Sequence, residues 1–139
     1  MTDTQPVMRG CAPYLGPSDA AGAIDFYKKA FGAEEVSRMP ADDGKRLMHA
    51  HLYINGGSLM MSDSFPEHVG LPADAPPEVP AAFLVHLQVD DADLWWNRAV
   101  DAGATVVLPL QTQFWGDRYG QLKDPFGVTW SIGQSAKPA

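Results

Sequence analysis

Apolar and polar positions along the chain follow two periods. In "SDAAGAIDFYKKAFG", Ile24, Tyr27 and Phe31 recur at helical spacing, with Ser18 or Asp19 placed as N-cap and Gly32 as the stop. "DDADLWWNRAVDAG" repeats the plan: Asp90 or Asp91 caps, Trp95, Ala99 and Ala102 face inward, and Gly103 ends the helix. Elsewhere the period is two. Strands are predicted near residues 7–15, 33–39, 46–54 and 58–63, then near 83–89, 104–108, 112–123 (broken by a turn around Gly116-Asp117) and 128–132.

Gly103 lies 71 positions after Gly32, and the same offset carries Asp19 to Asp90, Val36 to Val107 and Gly56 to Gly127. One offset that aligns cap, stop, strand and hairpin glycine points to an internal duplication. The chain then divides into a first βαβββ module over 1–63, a linker over 64–82 and a second βαβββ module over 83–139, all within one combined domain. The linker holds five prolines in "SFPEHVGLPADAPPEVPA" and is expected to carry neither helix nor strand. Its length suits a segment that drapes over a site or reaches a partner subunit.

Alternation sorts the strand side chains. Met48, Ala50, Leu52 and Ile54 form one apolar face, opposite His49, His51 and Tyr53. Leu59 and Met61 oppose Ser58, Met60 and Ser62, and Val128, Trp130 and Ile132 oppose Thr129 and Ser131. Phe83, Val85, Leu87 and Val89 oppose Leu84, His86 and Gln88. The second face of these four strands lacks the Lys and Glu of a solvated sheet, which suggests a partly polar cavity. His51, Met60, Leu84, His86, Thr129 and Ser131 are its expected lining, with Trp115 at the edge.

Composition narrows the partners. Ten Lys+Arg against 17 Asp+Glu give a net charge of −7, which disfavours nucleic acid and anionic membranes. No apolar stretch approaches the ~20 residues of a membrane span, and the first ten residues do not read as a signal peptide, so a cytoplasmic setting is expected. Cys11 is the only cysteine, so internal disulfides and cysteine-rich metal clusters are excluded. With no activating base near it in sequence, it is expected to be buried.

"AIDFYKKAFGAEEV", "LQVDDADLWWNRAVDAGATVVLP" and "FWGDRYGQLKDPFGVTWSI" resemble the vicinal oxygen chelate superfamily of glyoxalases, bleomycin-resistance proteins and dioxygenases, and within it the PhnB-like branch. The resemblance implies an α+β fold, the glyoxalase/bleomycin-resistance fold, in which two βαβββ modules curl mixed sheets around a cleft. It also implies a homodimer. Metal-dependent members hold a divalent ion through as many as four side chains, mainly His and Glu, one from each of four strands. The matching positions here are Ala12 or Pro13, Met60, Leu84 and Ser131, none of them a His or carboxylate. Such residues ligate weakly.

A rebuilt site would have to use His49, His51 and His86. Residues two apart on a strand lie ~6.5–7 Å apart at Cα, and no carboxylate joins them on that face. The histidines are therefore expected to contact a ligand or one another rather than a metal, near their ordinary pKa. In "FWGDRYG", Trp115 and Tyr119 would stack on a planar ligand and Arg118 would meet an anionic group, or Arg118 would instead pair with Asp117 or Asp124. Trp95 and Trp96 read as core plus dimer contact. The sequence thus points to a small-molecule-binding homodimer without cofactor. The alternative is a metal-dependent glyoxalase-type lyase or isomerase, or an antibiotic-modifying transferase, using an atypical site around His51 and His86.

Overall fold

A computed structural model describes residues 10–72, 74–75 and 83–136. Residues 7–9 of the first predicted strand and most of the linker's second half lie outside them. The elements run β1 (Tyr14–Leu15), α1 (Ala20–Phe31), β2 (Glu34–Pro40), β3 (Leu47–Ile54) and β4 (Gly57–Met61) in the first module. The second module has β5 (Val85–Gln88), α2 (Ala92–Ala102), β6 (Thr105–Thr112), β7 (Arg118–Lys123) and β8 (Thr129–Gln134).

The sheets are ordered β1-β4-β3-β2 and β5-β8-β7-β6, the same topology twice. In each, the first strand pairs parallel with the last, and the other pairings are antiparallel. The α+β fold with two four-stranded mixed sheets is thus as expected. The offset is less uniform than the sequence suggests. Both helices end on a left-handed glycine, Gly32 and Gly103, but α1 is capped by Asp19 and α2 by Asp91 rather than Asp90. α2 is one residue shorter, so the 71-residue offset holds after the helices and slips by one before them.

The inward stripe of α1 is as predicted: Ile24 and Tyr27 are fully buried and Phe31 nearly so. The helix contacts β3 of its own sheet, and its aromatics also reach the other module. Trp130 of β8 lies 4.6 Å from Phe31 and 5.1 Å from Tyr27 between ring centroids, and Phe126 meets Phe26 edge-on at 6.0 Å. The core is therefore shared by the two modules. Arg98 of α2 closes the contact by donating to the carbonyls of Lys28 and Lys29 at the end of α1.

Three expectations fail locally, the first at Phe83, which alternation places on the apolar face with Val85 but which lies before β5 and is 48% exposed. Met48 is 48% exposed despite its place on the apolar face, because the β2–β3 register skips it at a bulge between Leu47 and His49 and Leu47 is buried instead. The linker holds a 3-10 turn, Pro66–Val69, begun by a proline that needs no amide partner and ended by left-handed Gly70. Arg46 fixes that turn by pairing with both Glu67 oxygens, donating to the Ser64 carbonyl and stacking over Phe65.

β2 and β6 are edge strands of their sheets, as are β1 and β5. β6 exposes Val106, Val107 and Leu108 in succession, then carries Pro109, with register shifts on both sides of Leu108.

Candidate functional site

Alternation places the polar face of each sheet. On the first, Tyr14, Met60 and His51 form one cross-strand row, and Tyr53 and Ser58 form the next. On the second, His86, Ser131 and Gln121 form a row, and Gln88, Gly133 and Tyr119 another. The opposite faces hold Ala50, Leu52, Leu59, Met61, Leu122, Trp130 and Ile132, all buried.

Hydrogen bonds organise these rows into two clusters. On the first sheet, His51 Nε2 meets Ser58 Oγ at 3.0 Å, and His49 Nδ1 meets the Tyr14 hydroxyl at 3.2 Å. Burial, with His49 as a second cause, pushes the pKa of His51 below the ordinary imidazole value. His51 therefore departs from the expectation of a freely titrating histidine.

The second cluster is a directed chain. Gln88 Nε2 donates to Ser135 Oγ at 2.9 Å, which turns Oε1 toward His86 Nε2, 2.8 Å away. The carbonyl oxygen can only accept, so Nε2 carries the proton and Nδ1 accepts from the Ser131 hydroxyl at 2.7 Å. Tyr119 stacks on the His86 ring, 6.1 Å between centroids, and its hydroxyl accepts from Gln121 at 3.1 Å. Both nitrogens of His86 are thus engaged within the protein.

Between the sheets runs a cavity of about 250 Å³. Ile54 and Leu59 wall it from the first module, Val85 and Leu87 from the second, and Trp130 lies at its floor. Cys11, Pro13, Ser58 and His86 complete the lining. Side chains from both faces of both sheets contribute, so the cavity passes through the seam between the sheets rather than resting on one face. Asn55, held at φ 51°, bridges the same seam by donating to the Gln88 carbonyl at 2.7 Å.

The structure therefore brings His49, His51 and Met60 together on one sheet, and His86, Tyr119 and Ser131 on the other. Leu84 precedes β5 and is half-buried, and half-buried Thr129 opens β8 opposite Lys123. Arg118 and Trp115 are elsewhere. Arg118 turns toward α2 and pairs with Asp93 at 2.7 Å and Thr112 Oγ1 at 3.2 Å, not with Asp117 or Asp124. Asp117 is occupied by the Ala136 amide, and Asp124 by donors from its own turn, from Tyr27 and from Trp130. Trp115 is half-exposed on the β6–β7 turn, edge-on to Phe114.

Cys11 is exposed rather than buried; it precedes β1 and lies at the seam. Tyr14, Ser58, Gln88 and Gln121 complete the clusters. Ser58 and Gln88 already stood on the polar face in the alternation, whereas Tyr14 needed the β1–β4 register to place it.

The four family ligand positions carry no imidazole or carboxylate, and the Ser131 hydroxyl is spent on His86. Among the described residues, no three His, Cys, Asp or Glu side chains are grouped to hold a metal ion. This donor set does not fit the family's divalent metal.

A four-stranded sheet repeated with the same topology, two packed helices and a seam between the modules define the architecture that the sequence resembles. The profile of the Glyoxalase/Bleomycin resistance protein/Dioxygenase superfamily matches residues 12–132, and the chain belongs to that family. It is 48% identical over 127 residues to an uncharacterised protein of Mycobacterium bovis, covering 91% of this chain and 83% of the relative. Among solved structures, TioX of a Micromonospora species is 28% identical with a TM-score of 0.67, covering 94% of this chain and 99% of TioX. A PhnB protein of Bacillus cereus shares the fold at TM-score 0.70 and 19% identity, covering 91% of this chain and 100% of its own. Among the described residues, no helix is long and apolar enough to cross a membrane.

Proposed function

We propose that this protein binds a small, uncharged, ring-containing molecule on the polar faces of its two sheets, by stacking and hydrogen bonding and without the family metal. The observation that carries this is the pair of hydrogen-bonded clusters, His51–Ser58 and Ser131–His86–Gln88, which contribute Ser58 and His86 respectively to the lining of one cavity. The clusters offer rings for stacking and neutral donors and acceptors for orientation, the composition of a small-molecule site. Arg118, the cation that the sequence offered for an anionic group, is engaged by Asp93, which favours an uncharged ligand. We place the protein in the cytoplasm as a homodimer, in keeping with the family.

Two measurements on untagged protein test the proposal. Calorimetry with 1-naphthol, a neutral planar phenol, is expected to show saturable binding, weakened about tenfold by His86→Ala through loss of ~1.4 kcal/mol of ring stacking and of the orientation His86 gives Ser131 and Gln88. Elemental analysis is expected to find no stoichiometric transition metal. Zinc, nickel, iron or manganese near one per chain, lost on His51→Ala, would overturn the metal-free mechanism. Saturable binding that His86→Ala leaves unchanged would overturn the site.

A further inference from the structure

The seam cavity differs chemically from the faces on which it opens. Its walls are aliphatic, Ile54 and Leu59 facing Val85 and Leu87, and its floor is the fully buried Trp130. Among the described residues, no Asp, Glu, Lys or Arg lines it. At about 250 Å³ it falls short of the ~300–1,000 Å³ of a complete ligand site. It is the size of a substituent.

Its polar lining gives direction. Ser58 is bonded to His51, and His86 to Ser131 and Gln88, so each belongs to one of the hydrogen-bonded clusters. A molecule held by those clusters would have the cavity's apolar walls between its two points of attachment. Cys11 lines the same cavity. Its segment is held against β4, because the Met60 amide donates to the Pro13 carbonyl at 3.0 Å.

We propose that the seam is a second subsite that takes an uncharged apolar arm of the ligand, a short alkyl chain or single small ring, while the polar part of the same molecule rests on the His51 and His86 clusters. The ligand class is therefore amphiphilic and unsymmetrical, with one polar ring-bearing end and one apolar end. This assignment rests on the small-molecule function proposed above.

Cys11 allows a direct test, since it is exposed and the chain has no other cysteine. The intact protein is equilibrated with ethyl, propyl, butyl and pentyl disulfides against 2-mercaptoethanol. Mass spectrometry then reads the mercaptoethanol concentration at which half of the adduct is lost. Each methylene buried in an apolar slot is worth ~0.8 kcal/mol, about fourfold in this ratio. Retention is expected to climb by roughly that factor per methylene up to butyl in the native protein and to stay flat in urea. A sulfonate-tipped thiol of equal length is expected to gain nothing.

Val85→Phe fills the slot from β5 and is expected to abolish the chain-length dependence. Gly57→Leu fills it from β4, where an added Cβ meets nothing closer than the Ile54 carbonyl at 3.6 Å and the glycine has no positive φ. It therefore keeps the test open if Val85→Phe fails to fold. Retention independent of chain length, equal retention of the sulfonate, or unchanged retention in a folded slot-filled variant would each overturn the subsite. The two proposals fail separately. If 1-naphthol binds but chain length has no effect, the subsite falls and the binding function stands. If chain length matters but neither 1-naphthol nor its 4-butyl derivative binds, the function falls, and the ligand assignment falls with it.

Discussion

The phenol of Tyr27, on the helix of the first module, donates to Asp124 Oδ2 at 2.5 Å, in the turn before the last strand of the second. Both residues are buried, and Asp124 also accepts from Trp130 Nε1, Phe126 N and Val128 N. One carboxylate thus closes its own turn and pins the opposite module. Burial first, and then the neighbouring Asp124 charge, push the Tyr27 pKa well above its ordinary value, so the phenol is a neutral donor at neutral pH.

Tyr27→Phe keeps the ring packing and removes one donor from a buried carboxylate. A loss of about 1–3 kcal/mol in urea unfolding is expected, with the m-value unchanged. A change below ~0.5 kcal/mol would mean that the hydrogen bond contributes nothing to joining the modules.

Asp63 has a comparable place in the first module. Its two oxygens accept from the Ala20 amide at 2.8 Å and the Leu47 amide at 2.7 Å, tying the start of α1 to the start of β3. Asp63→Asn turns an NH2 group toward one of those N–H donors. The variant is expected to lose about 1–3 kcal/mol, measured the same way; unaltered stability would show the tie to be dispensable.

His51 predicts a pH dependence. Its native pKa is lowered, so between that value and the ordinary ~6.5 the unfolded chain binds more protons than the folded one. Stability then rises with pH across this window and is lost as pH falls from about 6.5 toward the lowered native value. His51→Gln removes the titration. Urea unfolding from pH 8 to 5 is expected to show the wild type losing stability relative to the variant below about pH 6.5. Parallel curves would contradict the lowered pKa.

Two glycines separate scaffold from site. A Cβ at Gly120 would meet the Trp96 ring at 2.6 Å and Leu110 Cα at 2.9 Å, so Gly120→Ala is expected to cost roughly 1–3 kcal/mol through overpacking. At Gly133 the nearest atoms are His86 Cε1 at 2.8 Å and the ends of His86 and Gln88, which can swing aside. Gly133→Ala is expected to unfold within ~1 kcal/mol of wild type yet weaken 1-naphthol binding at least fivefold. Intact binding in the alanine variant would separate the His86 cluster from the ligand site.

How much of this was legible in the sequence depends on the range of the contact. Asp19, Gly32 and Gly103 act within a few residues of themselves, and their roles as caps and stops can be read from local pattern. The polar faces of β3, β4, β5 and β8 follow from alternation alone. What alternation does not give is the neighbour. The pairing of Arg118 with Asp93, 25 positions away, depends on how α2 crosses the second sheet. The seam cavity depends on the first module meeting the second, a distance in sequence that no local period reports. The exposure of Cys11 belongs to the same class: it depends on what lies above the residue, and the chain around it carries no sign of that.

The outer strand β6 has a consequence for how the protein behaves in a crowded cell. Three consecutive bare aliphatic residues beside an open row of backbone groups form a template on which another extended chain would grow. Pro109 removes one amide from that row, and the shifted register bends the strand around it, so an incoming strand finds no continuous run of partners. β2 ends on Pro40 and is salted with Glu34, Glu35 and Arg38. At these two borders strand addition is thereby disfavoured, which lets β6 carry a greasy edge without offering a continuous template.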